Sequence, residues 1–307
     1  MSRRRFSADA WMHIYKRRED GFLIFYTIKD FLVYFTLYSV LSVKHGIKVF
    51  GLCIMFDHIH SIVKAGNLRQ LSGFEHESSR LFAREWNSEY GKTGQMFGPF
   101  GSAPKNGSKE RRTVYAYVVN NPVERHLCKR PEQFKWNFMH HVLPVGGPKS
   151  GELLFAMERV SALRQRLRPL TYSVLENLVK DLDKHERGIL VNHIINTYNI
   201  IDYDSVTSLY GSFDQLVVAV NSNVGGEYEI KESFTGFSDK PYASFMSALQ
   251  KLYPQVPITD ILNWETNKKM EALHYLEKTT SATGRQIAKY LHLKILDKAD
   301  VDYQYFT

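Results

Sequence analysis

The sequence predicts an α+β protein, a small unit of strands and helices followed by a mainly helical second half. Three observations carry this. Strand-like and helix-like segments alternate up to about residue 120; Gly146, Gly147, Pro148 and Gly151 then cluster as a boundary; beyond them the apolar spacing is almost wholly helical. The expected division is 1–145 and 151–307, and 307 residues are ample for two separately packed units.

Residues 11–16 (Trp-Met-His-Ile-Tyr-Lys) read as a strand leading into a polar turn. From Lys29 to His45, Phe31, Leu32, Phe35, Tyr38 and Leu41 recur at three- and four-residue spacing, the mark of an amphipathic helix that Gly46 would end. Lys48 to Val63 reads as β structure with a break at Phe56-Asp57, and 67–90 as a second helix. Gly91 to Ser108, rich in glycine and proline, reads as irregular, and a third helix is expected from Glu110 to Asn120, with Pro122 ending or kinking it. In the second half, 152–168, 172–200, 204–221, 241–253, 257–277 and 283–296 have helical periodicity, whereas 226–236 reads as irregular or extended.

Composition narrows the function. Cys53 and Cys128 are too few and too far apart for a disulfide framework or a cysteine-rich zinc module. No apolar run is long enough to span a bilayer, and no apolar core follows Ser2-Arg3-Arg4-Arg5, so neither membrane nor secretion is expected and the cytoplasm is the default location. The net charge of +8 is unevenly spread: residues 1–150 carry 23 Lys and Arg against 12 Asp and Glu (+11), and 151–307 carry 17 against 20 (−3). Contacts to a polyanion are therefore expected in the first half.

Two constellations could carry chemistry. In Asp57-His58-Ile59-His60, residues two apart on a strand share a face, so both imidazoles can meet one cation; two packing histidines would give the same pattern. In Tyr117-Val118-Val119-Asn120-Asn121, a helix puts the Tyr117 phenol and the Asn121 amide one turn apart on one face. An amide oxygen suits Mg²⁺ or Mn²⁺, and a phenol beside such an ion can attack a phosphodiester, although spacing alone, in a chain with 18 tyrosines, favours a structural role over a nucleophile. Tyr115 is the rival nucleophile, and its position on the helix assigns it to the core.

Taken in order, several segments resemble the REP-associated group of single-tyrosine HUH transposases: Arg3-Arg4-Arg5-Phe6, Met12 to Arg17, Gly46-Ile47-Lys48-Val49, Met55 to Val63, Tyr90 to Phe97, Tyr117 to Val123 and Pro131 to Trp136, spanning about residues 3–138. The resemblance implies a ferredoxin-like catalytic domain; the helical second half is then an accessory domain, for which DNA-end binding is one role. His58 and His60 fall on the two motif histidines, Tyr117 on the nucleophile and Asn121 on the third metal ligand. The implied activity is Mg²⁺- or Mn²⁺-dependent cleavage and strand transfer of single-stranded or hairpin DNA through a 5′-phosphotyrosine, by a monomer or homodimer. The chain departs from the family in having Phe56-Asp57 where Pro-Asn usually precedes the first histidine, which leaves Asp57 either beside a ligand or on the surface.

Arg3, Arg4, Arg5, Lys16, Arg17 and Arg18, with Lys105, Lys109, Arg111 and Arg112, are the expected lining of a DNA path, and Phe97 and Phe100 its base-stacking platforms. Thr283 to Leu293 fits one helix of a helix-turn-helix or a plain amphipathic helix. Two other functions use the same residues: a DNA-binding protein that keeps the fold without cleavage, and a metal-dependent nuclease that uses water.

Overall fold

The computed structural model describes residues 6–140, 142–147, 150–222 and 238–294. The first half begins with β1 (Trp11–Arg17), α1 (Ile28–Lys44), β2 (Lys48–Ile54), β3 (His58–Lys64), α2 (Leu68–Tyr90) and β4 (Gly101–Lys105). The four strands form one antiparallel sheet in the order β2-β3-β1-β4. This β-α-β-β-α-β sequence with β1 and β3 at the centre is the ferredoxin-like topology.

Alternation along the strands sorts the two faces. Met12, Ile14, Leu52, Ile54, Ile59 and Val63 pack into a core with Phe35, Tyr38 and Leu41 of α1 and Phe74, Phe82 and Trp86 of α2. Trp11, Cys53 and Ile62 turn the other way, toward α3 (Ser108–Glu124), whose Tyr115, Val118 and Val119 lie in that second core. Gly51 lets α3 come close: a Cβ there would stand 3.2 Å from Ile62 Cδ1 and 3.6 Å from Tyr115 Cδ2.

Two elements differ from the sequence expectation. The turn-rich segment contains β4, an edge strand paired only with β1, where Pro104 can sit because its missing N–H interrupts no second ladder. Helix α3 runs through Pro122 and ends at Glu124. Proline costs the bond to the Val118 carbonyl one turn back, and in the same turn Asn137 Nδ2 donates to the Val119 carbonyl at 3.1 Å.

The second half is helical: α4 (Gly151–Gln165), α5 (Tyr172–Val179), α6 (Lys184–Tyr198), α7 (Tyr203–Ser208), α8 (Phe213–Ser222), α9 (Tyr242–Leu252), α10 (Ile258–Ile261), α11 (Thr266–Thr279) and α12 (Gly284–Leu291). Three stretches with continuous helical spacing are split: Asp183 starts a new helix with its own capping box, Gly211 takes φ 91° between α7 and α8, and Glu265 precedes the start of α11 at Thr266 after α10 has ended at Ile261. Segment 226–236 lies outside the described residues. The helices dock on the first half through buried polar contacts as well as apolar ones. The Asp30 carboxylate caps α1 by accepting from the Tyr26 and Thr27 amides and also accepts from the Tyr90 and Tyr172 hydroxyls, at 2.7 to 2.9 Å. Asp202 donates its amide to the Val49 carbonyl of β2 at 2.8 Å.

His292 closes α12 in a left-handed conformation, φ 55°, with its ring stacked on Phe22 at 4.6 Å. Burial and nearby Arg18 lower its pKa from 6.5 to about 2. The unfolded chain therefore binds a proton here that the folded chain refuses, so the stability His292 contributes is complete above the unfolded value and declines as pH falls below it. The melting temperature is expected to fall between about pH 7 and pH 5, and His292→Asn, which keeps the left-handed cap, should flatten that part of a calorimetric pH series.

Candidate active site

The strand register assembles the site. Tyr15 pairs with His60, Arg17 with His58 and His13 with Ile62 across β1 and β3, so His13, Tyr15, Arg17, His58 and His60 all lie on the α3 face of the sheet. Tyr117 and Asn121, one turn apart on α3, meet them. The Tyr117 ring stands edge-on to His60 at 5.3 Å and to His13 at 5.6 Å between centroids, and the Asn121 Oδ1 atom is 3.0 Å from His58 Nε2. All four residues singled out by the sequence therefore converge, and all are buried: His60, Tyr117 and Asn121 are 0% exposed and His58 is 4% exposed. Tyr115 is buried in the α3 core with its ring facing Tyr210, as expected for the rival tyrosine.

Each histidine is oriented through its other ring nitrogen. His58 Nδ1 is 2.6 Å from Asp57 Oδ1, which decides between the two positions left open for Asp57 in favour of a direct contact with the histidine. Burial opposes charge on His58, but the Asp57 carboxylate outweighs it and raises the pKa; both ring nitrogens then face oxygen acceptors, Asp57 on one side and Asn121 on the other. His60 Nδ1 is 3.0 Å from His13 Nε2. Burial, with nearby Lys105, lowers the His13 pKa to about 3, and burial with neighbouring His58 and His13 lowers that of His60, so this pair shares one proton between two neutral rings. His13 was not singled out from the sequence. Its only signal was a histidine in phase with Tyr15 on an apolar strand.

The donor set suits a hard divalent cation. His58 Nε2 and Asn121 Oδ1, an imidazole nitrogen and an amide oxygen, stand 3.0 Å apart, so that both could be donors to one ion. A cation there would replace the His58 Nε2 proton. The carboxylate–histidine pair on its far side is the usual support of a metal-bound imidazole. Among the described residues no group of three His, Cys, Asp or Glu side chains is arranged to hold a metal, so the protein's share would be His58, His60 and the Asn121 amide, with other positions left to water or substrate oxygens. Asn121 Nδ2 is buried with no hydrogen-bond partner among the described residues, which leaves a donor for an incoming oxygen.

The expected DNA contacts fare unevenly. Arg17 is exposed and sits directly across the ladder from His58, and Arg112 is exposed on α3, donating to the Leu209 carbonyl at 3.3 Å. Arg3, Arg4 and Arg5 lie outside the described residues. Lys16 is a correction: alternation points it away from the site into the α1–α2 layer, where it is 2% exposed and its ammonium pairs with Glu75 at 2.9 Å and donates to Ser78. Arg18 is likewise buried, lying over the Trp86 ring and pairing with Asp20. Phe97 and Phe100 are core residues, unavailable as stacking platforms. Helix α12 follows α11 across a short turn as in a helix-turn-helix, but Gln286, Ile287, Ala288, Tyr290 and Leu291 are buried, so most of its surface is committed to protein contacts.

No protein-family model matches this chain, and no curated protein does. Among solved structures, that of a REP-associated tyrosine transposase bound to a REP hairpin is similar to 49% of this chain and 93% of its own, at 13% identity and a TM-score of 0.38. Likeness at that level does not fix a family. No helix among the described residues is long and apolar enough to cross a membrane.

Lys16→Met leaves the Glu75 carboxylate buried and unpaired, and should cost about 3–5 kcal/mol in urea unfolding, the cost of removing one partner of a buried pair.

Proposed function

We propose that this chain is a divalent-metal-dependent enzyme that cuts and rejoins single-stranded DNA through Tyr117. The observation that carries the proposal is the meeting of a phenol and an amide from one helix with two histidines from a facing strand, on one side of a ferredoxin-like sheet. Order and spacing of the sequence segments over residues 3–138 support the same reading, as does the positive balance of the first half.

A divalent ion held by His58, His60 and Asn121 would withdraw charge from a scissile phosphate. Asn121 Nδ2 would donate to a phosphate oxygen, and Arg17, in register with His58, would hold the adjoining backbone. Tyr117 Oη would attack phosphorus in line. One O–P bond forms to Tyr117, the P–O3′ bond breaks, the phenol gives up its proton and the departing 3′-oxygen gains one. The resulting 5′-phosphotyrosine keeps the energy of the phosphodiester, so another 3′-hydroxyl can reverse the step without ATP. In this reading the substrate is single-stranded or hairpin DNA and the ion is Mg²⁺ or Mn²⁺.

One observation favours a second reading. Tyr117 is 0% exposed, and a closed site is what a DNA-binding protein that no longer cleaves would tolerate. Catalysis requires α3 and the elements around it to admit a strand. Incubation with labelled hairpin DNA and Mn²⁺, resolved on a denaturing protein gel, separates the readings. The enzyme gives a protease-sensitive adduct that Tyr117→Phe, His58→Ala or EDTA abolishes. Binding without an adduct supports the second reading, and cleavage surviving Tyr117→Phe points to a water nucleophile. Arg17→Ala should lower the slope of log affinity against log salt by about one phosphate contact.

A further inference from the structure

We infer that Lys289, on α12 of the helical half, is a positioning residue for the His58 ring and acts through Asp57. The two residues are 232 positions apart, yet the Lys289 ammonium donates to Asp57 Oδ2 while Asp57 Oδ1 faces His58 Nδ1 at 2.6 Å. The three groups form a line from a distant helix to a proposed metal ligand, and each end of the carboxylate has one partner.

The helix is well placed to hold that line still. Thr283 and Gln286 form a capping box at its start, Gln286 Nε2 donates to the Ser238 carbonyl at 2.6 Å, and the Tyr290 carbonyl accepts from Tyr26 at 3.0 Å. Tyr290 packs edge-on against Phe245 and Tyr26, while Ile287 and Leu291 are fully buried. Lys289 therefore extends from a fixed backbone to a carboxylate whose side chain is 12% exposed.

Charge supplies the reason for the arrangement. The Asp57 carboxylate stands between the Lys289 ammonium on Oδ2 and the His58 ring on Oδ1. With Oδ2 held by Lys289, Oδ1 is directed at His58 Nδ1, which fixes the ring plane and aims Nε2 at Asn121. Without the ammonium, Oδ2 of a buried carboxylate has lost its partner, and turning the carboxylate to find another releases the ring. The neighbouring Arg125 has its Nη1 atom 3.8 Å from Asp239. The helical half thus completes the catalytic centre, in addition to whatever it recognises. The consequence for metal binding rests on the proposed function; the link from α12 to His58 does not.

The test uses the full chain as Lys289→Met, Lys289→Arg, Asp57→Asn and the Asp57→Asn/Lys289→Met double variant, each first shown by thermal melting to be folded. Calorimetric titration with Mn²⁺ should show about tenfold or greater weakening for Lys289→Met, as for other supports of a ligand, and recovery of most of it for Lys289→Arg. On the neutral Asp57→Asn background, adding Lys289→Met should change affinity little, because the charge that needs Lys289 has gone. In metal-free protein with labelled histidine, the low-field Nδ1 proton of His58 should shift or vanish in Lys289→Met. Parental Mn²⁺ affinity together with an unchanged Nδ1 resonance in a folded Lys289→Met protein overturns the inference. If the parent binds no Mn²⁺, the proposed function fails and the resonance alone decides the link. If Lys289→Met does not fold, Lys289→Arg and Asp57→Asn carry the test, and an Asp57→Asn protein with parental affinity and an unmoved His58 ring overturns it.

Discussion

The register between β1 and β3 is the constraint on which the rest of the site depends. Side chains alternate with a period of two, so pairing Tyr15 with His60 and Arg17 with His58 puts five polar or aromatic groups on the α3 face and sends Met12, Ile14, Ile59 and Val63 into the opposite core. A slip of one residue would bury the histidines among α1 and α2 and expose the isoleucines. Hydrophobic burial on one face therefore fixes the geometry of a polar site on the other, and α3 needs only to lay Tyr117 and Asn121 over it. The Gly51 gap in β2 lets that helix lie close.

Polar groups on this scaffold are partnered with unusual economy. His13 and Asp57 each take the outward nitrogen of one site histidine, and Lys289 and Arg125 face the two carboxylates near the site, Asp57 and Asp239. Part of the positive charge that the sequence assigns to DNA is used in the same way: Lys16 pairs with Glu75 between the sheet and α2, and Arg18 pairs with Asp20 in the turn after β1. A net charge of +8 thus overstates the cationic surface available to a polyanion.

Periodicity gave elements whose burial is one-sided, such as α2, and spacing alone put Tyr117 with Asn121 and His58 with His60. Other features depended on pairings that no local window contains. Strand β4 has turn composition because an edge strand tolerates glycine and proline, and it exists because β1 offers a free ladder. The sidedness of Lys16 was available from alternation, since it sits one residue out of phase with His13 and Tyr15, but charge obscured it. His13 and Lys289 required the tertiary fold: one reaches His60 across a strand pair, and the other crosses 232 positions to Asp57.

The central claim is that His58, His60 and Asn121 form one cation site beneath Tyr117. Crystals grown or soaked with Mn²⁺ and measured on either side of the manganese absorption edge test it most directly. The account requires an anomalous peak within bonding distance of His58 Nε2 and Asn121 Oδ1, with the His60 ring turned to it. A fully occupied manganese elsewhere, with His58 Nε2 still hydrogen-bonded to Asn121, would contradict it.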